Sequence, residues 1–384
     1  MTRQTRTLLE HRVQRLVLEH LLLVGSGTLA FAAIAMGRVK VSETPSLMDG
    51  RLLTLFFVLT IAVELGKASD LFDRVVETVA RRVHSARGLA AAMIATTGLL
   101  ATLLTNDVAL VLVVPFTMLF RKVMDAPLAP IVVLEVAAAN LIGALSPLGN
   151  PQNLYLFTRG HLTLSGFLAD QVPWVAGASA LLLLAVPLVV PRRRLGAAPG
   201  RVYDVDPLIA AAFVAVLGTE VAALAGVAHH WIPLAFALLG AVLLGRRLRD
   251  ADFSLVFIFA FLFVGIAGLE RGRLYESIDP AVLFGHQTHG LVLSGAIVSQ
   301  FVSNVPAAML LAPTVHSPEG LRALIHGLNA GGCGTPIASL ANLIGAQLFV
   351  REGGAPRAFW RAFLPLNAAL LVLLVAVSLA LVSL

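Results

Sequence analysis

Charge is what this chain has least of. Lys, Arg, Asp and Glu together supply 13% of its 384 residues, about half the share usual in a soluble domain. Mean hydropathy is +0.87, and a soluble globular class is excluded. Cysteine is nearly missing as well. Cys333 stands alone, which rules out an internal disulfide and any multi-cysteine metal site. Neither a His-Glu-x-x-His nor a Gly-x-Ser-x-Gly run occurs, so an enzyme has no motif to rest on. Acidic residues number 22 against 28 basic ones. In so apolar a chain that excess collects in loops and sets membrane orientation, so it marks no nucleic-acid partner.

Apolar sequence fills the space. Runs of 17 or more nearly uncharged residues recur, enough to cross a hydrocarbon core about 30 Å thick. The lipid bilayer is therefore the first partner. Spans fall near 18–37, 51–68, 131–157, 172–190, 207–228, 231–248, 252–269, 320–350 and 358–384. The basic N-terminal stretch before "LLLVGSGTLAFAAIAMG" reads as the flank of an uncleaved first helix. Two further stretches, 89–120 and 289–315, are interrupted by polar residues and proline. Re-entrant hairpins fit them better than single helices. With hairpins there and a cytoplasmic N-terminus, the basic clusters at 81–88, 121–122, 191–201 and 245–249 all fall inside. The segment 269–277, with Arg271 and Arg273, is the exception and lands outside. Charges along 67–88 are spaced as in a surface-lying amphipathic helix.

The chain also repeats itself. "TNDVALVLVVP" (105–115) aligns with "SNVPAAMLLAP" (303–313): hydroxyl, Asn, an apolar run, and Pro nine positions after the Asn. Downstream, "NLIGALSPLGNPQNL" (140–154) aligns with "NAGGCGTPIASLANL" (329–343): Asn, five residues, Ser/Thr-Pro, five residues, Asn-Leu. The spans ahead of the hairpins, 51–68 and 252–269, run in opposite directions in this topology. The fold class expected is thus an all-α polytopic membrane protein of two inverted repeats, each with a re-entrant hairpin and a discontinuous transmembrane helix. Residues 1–190 form the first repeat, 191–230 a basic cytoplasmic linker and linking span, and 231–384 the second.

The repeated residues suit ion chemistry. Pro147 and Pro151 cannot donate backbone hydrogen bonds and break the helix around Gly149 and Asn150; Pro336 does the same near Gly334 and Ser339. Unwound backbone within a membrane is tolerated where it is buried in protein or lines a wet cavity. There its carbonyls can coordinate a cation, while helix ends attract an anion. A tip bearing Thr105, Asn106 and Asp107, facing "SPLGN", offers hydroxyl, amide and carboxylate oxygens, a cation or proton site by ligand type. The mirrored tip, Ser303 and Asn304 opposite "GTPIAS", lacks the carboxylate. Asp107 is the proton-coupling candidate, set against a plain helix-capping role. Asn140 and Asn329 stand between ligand and interhelical glue, as do Asn153 and Asn342.

These motifs resemble those of the ion transporter superfamily, which includes divalent-anion/sodium symporters, arsenite permeases and proteins with a citrate-transporter-like domain. The likeness runs from about residue 50 to the end. "SNVP" and "TND" resemble the symporters' Ser-Asn-Thr signature without its final Thr in place. "NDVALVLVVP" is similar to the Asn-Asp-Gly-Ala segment of the arsenite permeases, and "SPLGNPQNL" to the symporters' Gly-Thr-Pro-Pro-Asn segment. The resemblance implies one cation site at Thr105, Asn106, Ser146 and Gly149. It implies a mirror site at Ser303, Asn304, Thr335 and Ala338, with sodium at Asn106 and Asn304. It also implies a homodimer and an elevator motion.

The expected function is a secondary active transporter in a bacterial-type inner membrane. It would move a small anion or oxyacid, arsenite-like or carboxylate, coupled to Na+ or H+ and with no other cofactor. The alternative is a cation/proton antiporter with no organic substrate. Outside the motifs the residues read more plainly. Glu64 and Lys67 snorkel to the interface. Glu135, one turn into its helix, and Glu220, near a span end, read as solvated. His229 and His230 read as loop residues, and Cys333 as small packing.

Overall fold

The computed structural model describes residues 21–122, 127–195, 203–272, 284–285 and 287–383. The basic N-terminal stretch, most of 269–277 and the end of the 191–201 cluster lie outside them. No strand occurs among the described residues; one isolated bridge pairs Ser85 with Arg194. The chain divides into two compact units, Met1–Phe56 with Asp252–Asp279, and Phe57–Ala251 with Pro280–Leu384.

In the first unit, α1 (Leu21–Ala35) packs along α12 (Ser254–Glu270). Ala30, Ala33, Val39 and Val264 form its core, small residues that let two apolar helices approach closely. A short turn, Val41–Glu43, leads into α2 (Thr44–Leu47), and this stretch meets α3 (Gly50–Ala68) at 72°. Phe56 stacks near Phe259, with ring centroids 4.5 Å apart. Arg271 donates to Glu43 at 2.6 Å and to the Arg38 carbonyl at 2.9 Å. That contact holds the Glu43 carboxyl below its ordinary range.

The second unit carries the hairpins and breaks. It begins within α3, at Phe57, and continues into α4 (Leu71–Arg81), which buries Phe72, Val76, Glu77 and Ala80 and keeps Arg81 on Glu77 at 2.8 Å. This is the amphipathic helix expected within 67–88. The first hairpin is α5 (Ala86–Leu103) and α6 (Asn106–Leu119), packed on each other across a two-residue break. The break exists because Thr105 caps α6, its hydroxyl accepting from Val108 N at 3.4 Å. The second hairpin, α13 (Thr288–Val302) and α14 (Asn304–Leu311), turns on one residue, Ser303.

Each hairpin is followed by a helix in two pieces. α7 (Ala129–Leu141) gives way to 3-10 turns over Gly143–Leu145 and Pro147–Gly149, then α8 (Pro151–Arg159). α15 (Pro318–Gly331) ends ahead of an irregular stretch, and α16 (Leu340–Arg351) resumes. At 13 residues α7 is about 20 Å long, short of a membrane crossing. Long apolar helices complete the unit: α9 (Leu164–Val189), α10 (Pro207–Leu224), α11 (Trp231–Leu244) and α17 (Pro356–Val382). With α5, and α11 extended to Asp250, these are the described helices long and apolar enough to cross alone.

Glycine allows the tightest contact. A Cβ on Gly327 would lie 2.3 Å from the Val292 carbonyl oxygen, so α13 and α15 touch backbone to backbone.

Two expectations fail. Glu135 and Glu220 are both 0% exposed, not solvated. Glu135 sits midway along α7, and α5, α6, α16 and α17 all pack on that helix; Glu220 lies on the buried face of α10 with Phe213, Val216 and Leu217. Glu64 does not snorkel freely either: it is 7% exposed and takes a bond from Lys67 at 2.8 Å.

Candidate functional site

Each hairpin is fastened to the break beside it. In the first, Ser146 Oγ donates to the Thr102 carbonyl at 2.6 Å, and Thr102 Oγ1 donates to the Ile142 carbonyl at 3.1 Å. Gly149 backs onto the same place. A Cβ there would sit 2.0 Å from the Gly143 carbonyl oxygen and 2.7 Å from that of Ala101. In the second, Thr335 Oγ1 donates to the Gln300 carbonyl at 3.0 Å, and Asn304 N donates to the Ala338 carbonyl at 2.9 Å. Gln300 Oε1 accepts from Thr335 N at 2.8 Å, while its Nε2 donates to the Gly331 and Cys333 carbonyls. The two hydroxyl bonds are counterparts. Ser146 aligns with Thr335, and Thr102 and Gln300 each stand four residues before the tip asparagine.

The tips differ in one respect. Thr105 has extended backbone, φ −132° and ψ 157°. Ser303 lies at φ 71° and ψ 152°, a region that side chains other than glycine occupy at a cost of about 1–3 kcal/mol.

Between the tips lies a chain of amides. Asn106 Nδ2 donates to Asn140 Oδ1 at 2.9 Å, and Ser339 Oγ donates to the same oxygen at 2.9 Å. Asn140 Nδ2 donates to Asn342 Oδ1 at 3.1 Å. Asn342 in turn holds the second break, donating to the Gly332 and Thr335 carbonyls at 3.0 and 3.2 Å. Asn150 Nδ2 holds the first, donating to the Asn140 carbonyl at 2.8 Å. Asn304 reaches the same cluster: a Cβ on Gly332 would lie 3.5 Å from Asn304 Nδ2 and 3.7 Å from Asn140 Cγ. A second chain joins Gln152, Asn329 and Gln171, at 3.3 and 3.2 Å. Asn153 donates to the Ala144 carbonyl at 3.5 Å.

The sequence-derived residues therefore converge. Thr105, Asn106, Asn140, Asn150, Asn153, Ser303, Asn304, Asn329, Ala338 and Asn342 are buried, while Asp107 is half-buried with its backbone N–H bonded to Asn106 Oδ1 at 3.0 Å. Residues the sequence did not single out join them. Gln300 ties the second break, and Gln152 and Gln171 extend the amide chain.

The chemistry available is neutral oxygen and amide nitrogen. Oδ1 of Asn150, Oε1 of Gln152 and Oδ1 of Asn153 are buried without a protein donor. Such oxygens suit a hard cation; a buried acceptor left unpaired otherwise costs about 1–3 kcal/mol. No Lys or Arg takes part in the bonds just described. Among the described residues, no three His, Cys, Asp or Glu side chains converge as a metal-holding group.

The sequence model of the citrate transporter family matches residues 16–324. The chain belongs to that family. As a member of the citrate transporter family it is a multi-pass membrane transporter and not an enzyme. Its similarities agree. It is 31% identical to the inner membrane protein YbiR of Escherichia coli over 350 residues, 89% of this chain and 88% of that one. It is 30% identical to the uncharacterized transporter MJ0456 of Methanocaldococcus jannaschii over 266 residues, 67% and 70% of the two chains. An uncharacterized transporter of Mycobacterium tuberculosis, Rv2685, is 27% identical over 352 residues, 82% and 81%.

Proposed function

We propose that this citrate-transporter-family protein is a secondary active transporter of a small anion in a bacterial-type inner membrane, with a cytoplasmic N-terminus. Substrate and coupling ion bind among Thr105, Asn106, Asp107, Ser146, Gly149 and Asn150 on one side and Ser303, Asn304, Thr335 and Ala338 on the other. Asn140 and Asn342 join the two sets, and Asn153 and Asn329 complete the site beside them. The observation that carries this is Asn140, which accepts from Asn106 and donates to Asn342. Of the two substrate classes that the sequence left open, the family's name favours a carboxylate over an arsenite-like oxyacid. With no cationic side chain in the network, the carboxylate's partners are amides, hydroxyls, helix N-termini and a bound cation. Asp107 at the tip carries the coupling proton where coupling is to H+; sodium takes the neutral oxygens near Asn106 and Asn304. The fastened hairpins and breaks move as one block against the remaining helices, in an elevator motion, within a homodimer.

Thermal-shift measurements with di- and tricarboxylates, arsenite, sulfate and sodium test the substrate class. Uptake into proteoliposomes across a pH range tests the coupling. Stabilisation by a carboxylate, and uptake whose pH dependence is altered in Asp107→Asn, is the expected result. Sodium or proton movement with no organic ligand bound supports instead a cation/proton antiporter, which the neutral-oxygen site also suits.

A further inference from the structure

We infer that Glu135 is a second proton-binding site, built into the contact between the first hairpin and the first broken helix. The inference rests on the proton-coupled form of the proposed function. It places a titrating group well away from Asp107.

Glu135 lies midway along α7 and is 0% exposed. Thr117, also 0% exposed, sits on α6 and donates its hydroxyl to Glu135 Oε1 at 2.5 Å. Glu135 Oε2 is buried without a protein donor. A carboxylate in this position would be an uncompensated charge within the membrane, a state proteins avoid by pairing or by taking up a proton. Pairing is absent. The elements packed on α7 carry few charges, and none of those is bonded to Glu135. On α5, Arg87 donates to the Val190 and Pro187 carbonyls. On α6, Asp107 stands ten residues from Thr117, about 15 Å along the helix. Asp170 of α9 is paired with Arg322 of α15 at 3.0 Å. His326 of α15 stacks near Trp174, and Glu319 is exposed. Arg351 of α16 lies on Glu352, and Arg357 and Arg361 of α17 are exposed. The neutral acid suits the geometry, with one oxygen accepting from Thr117.

The location gives the proton something to do. Five residues beyond Glu135, about 7.5 Å along α7, is Asn140, the centre of the amide chain. Thr117 belongs to the arm that carries Asn106. A proton on Glu135 therefore permits the contact that holds hairpin and broken helix together beneath the site. Its loss places an unpaired anion there: the Thr117 bond itself strengthens, but the buried charge draws water into the seam and opens it.

A hydrophobic carbodiimide, which modifies protonated carboxyls in apolar surroundings, reads this without any transport assay. Peptide mass spectrometry of the reconstituted protein should find Glu135 modified, less so as pH rises, and unmodified in Glu135→Gln. In proteoliposomes Glu135→Gln should keep substrate exchange at equilibrium and lose one component of the pH dependence of net uptake, leaving the component that Asp107 sets. Thr117→Val should keep some pH dependence but shift its midpoint. An unmodified Glu135 overturns the inference, as does a wild-type pH profile in Glu135→Gln. If Glu135→Gln does not fold, the carbodiimide result decides. Failure of the proposed function shows separately, as absent carboxylate flux with Glu135 still modified in a pH-dependent way.

Discussion

Asn140 and Asn342 stand 202 residues apart in the chain, yet Asn140 Nδ2 donates to Asn342 Oδ1 at 3.1 Å. The bond joins the end of one broken helix to the resumption of the other. Asn140→Ala leaves Asn106 Nδ2, Ser339 Oγ and Asn342 Oδ1 without this partner, at about 1–3 kcal/mol for each group that stays unpaired. Asn342→Ala likewise removes three bonds, from Asn140 Nδ2 and to the Gly332 and Thr335 carbonyls, and should cost a similar amount. A double-mutant cycle by chemical denaturation in detergent should give a coupling of about 0.5–3 kcal/mol. Additive effects would mean that the bond carries no energy.

Gly149 gives a test with its own control. An added methyl there meets only backbone, at 2.0 and 2.7 Å, and backbone cannot swing away. Gly149→Ala should destabilise by about 3 kcal/mol and abolish ligand-induced thermal shift. Gly218, in α10, has nothing within 4 Å of the added methyl. Gly218→Ala should stabilise by about 0.5–1 kcal/mol through helix propensity. Melting curves of the two variants should move in opposite directions.

Ser303→Gly is expected to stabilise the protein. It relieves a backbone conformation costing about 1–3 kcal/mol, offset in part by a freer unfolded chain at about 0.4–1 kcal/mol. A net gain of about 1 kcal/mol in the melting transition, with slower uptake from a slacker tip, is the result to look for. A lower melting temperature would show that the Ser303 side chain matters more than its φ angle.

Cys333 is a built-in reporter. It is 0% exposed at the second break, and its carbonyl accepts from Gln300 Nε2 at 3.1 Å. Maleimide should label it slowly in the folded protein and fully after denaturation, because the thiolate must reach solvent. Gln300→Leu removes several bonds to that break. Labelling by local opening should accelerate about tenfold for each 1.4 kcal/mol lost. An unchanged rate would mean that Gln300 does not hold the break.

Much of this could be read from sequence because breaks leave marks. Asn106 in an apolar run, Pro147 and Pro151 around Gly149, and the matching Pro336 each forbid a plain helix at those points. What escaped is pairing across the repeats. Alignment shows that Asn140 corresponds to Asn329, but not that Asn140 bonds to Asn342. Glu135 escaped for a related reason: its place near a helix start implied water, and only the packed neighbours of α7 show otherwise. Gln300 carries no signal of its own, since a glutamine near a hairpin tip looks like any polar residue until the carbonyls it collects are seen.

The clasps Ser146 to Thr102 and Thr335 to Gln300 bear on how such a protein could be inhibited. A compound that wedges one tip outward must undo a hydroxyl bond, a packed glycine or an amide bond, and part of the asparagine chain together. Little affinity would be left over from that work. On the proposed elevator motion, blocking the path of the clasped assembly leaves those bonds intact, and that path is the better target for a drug-like ligand.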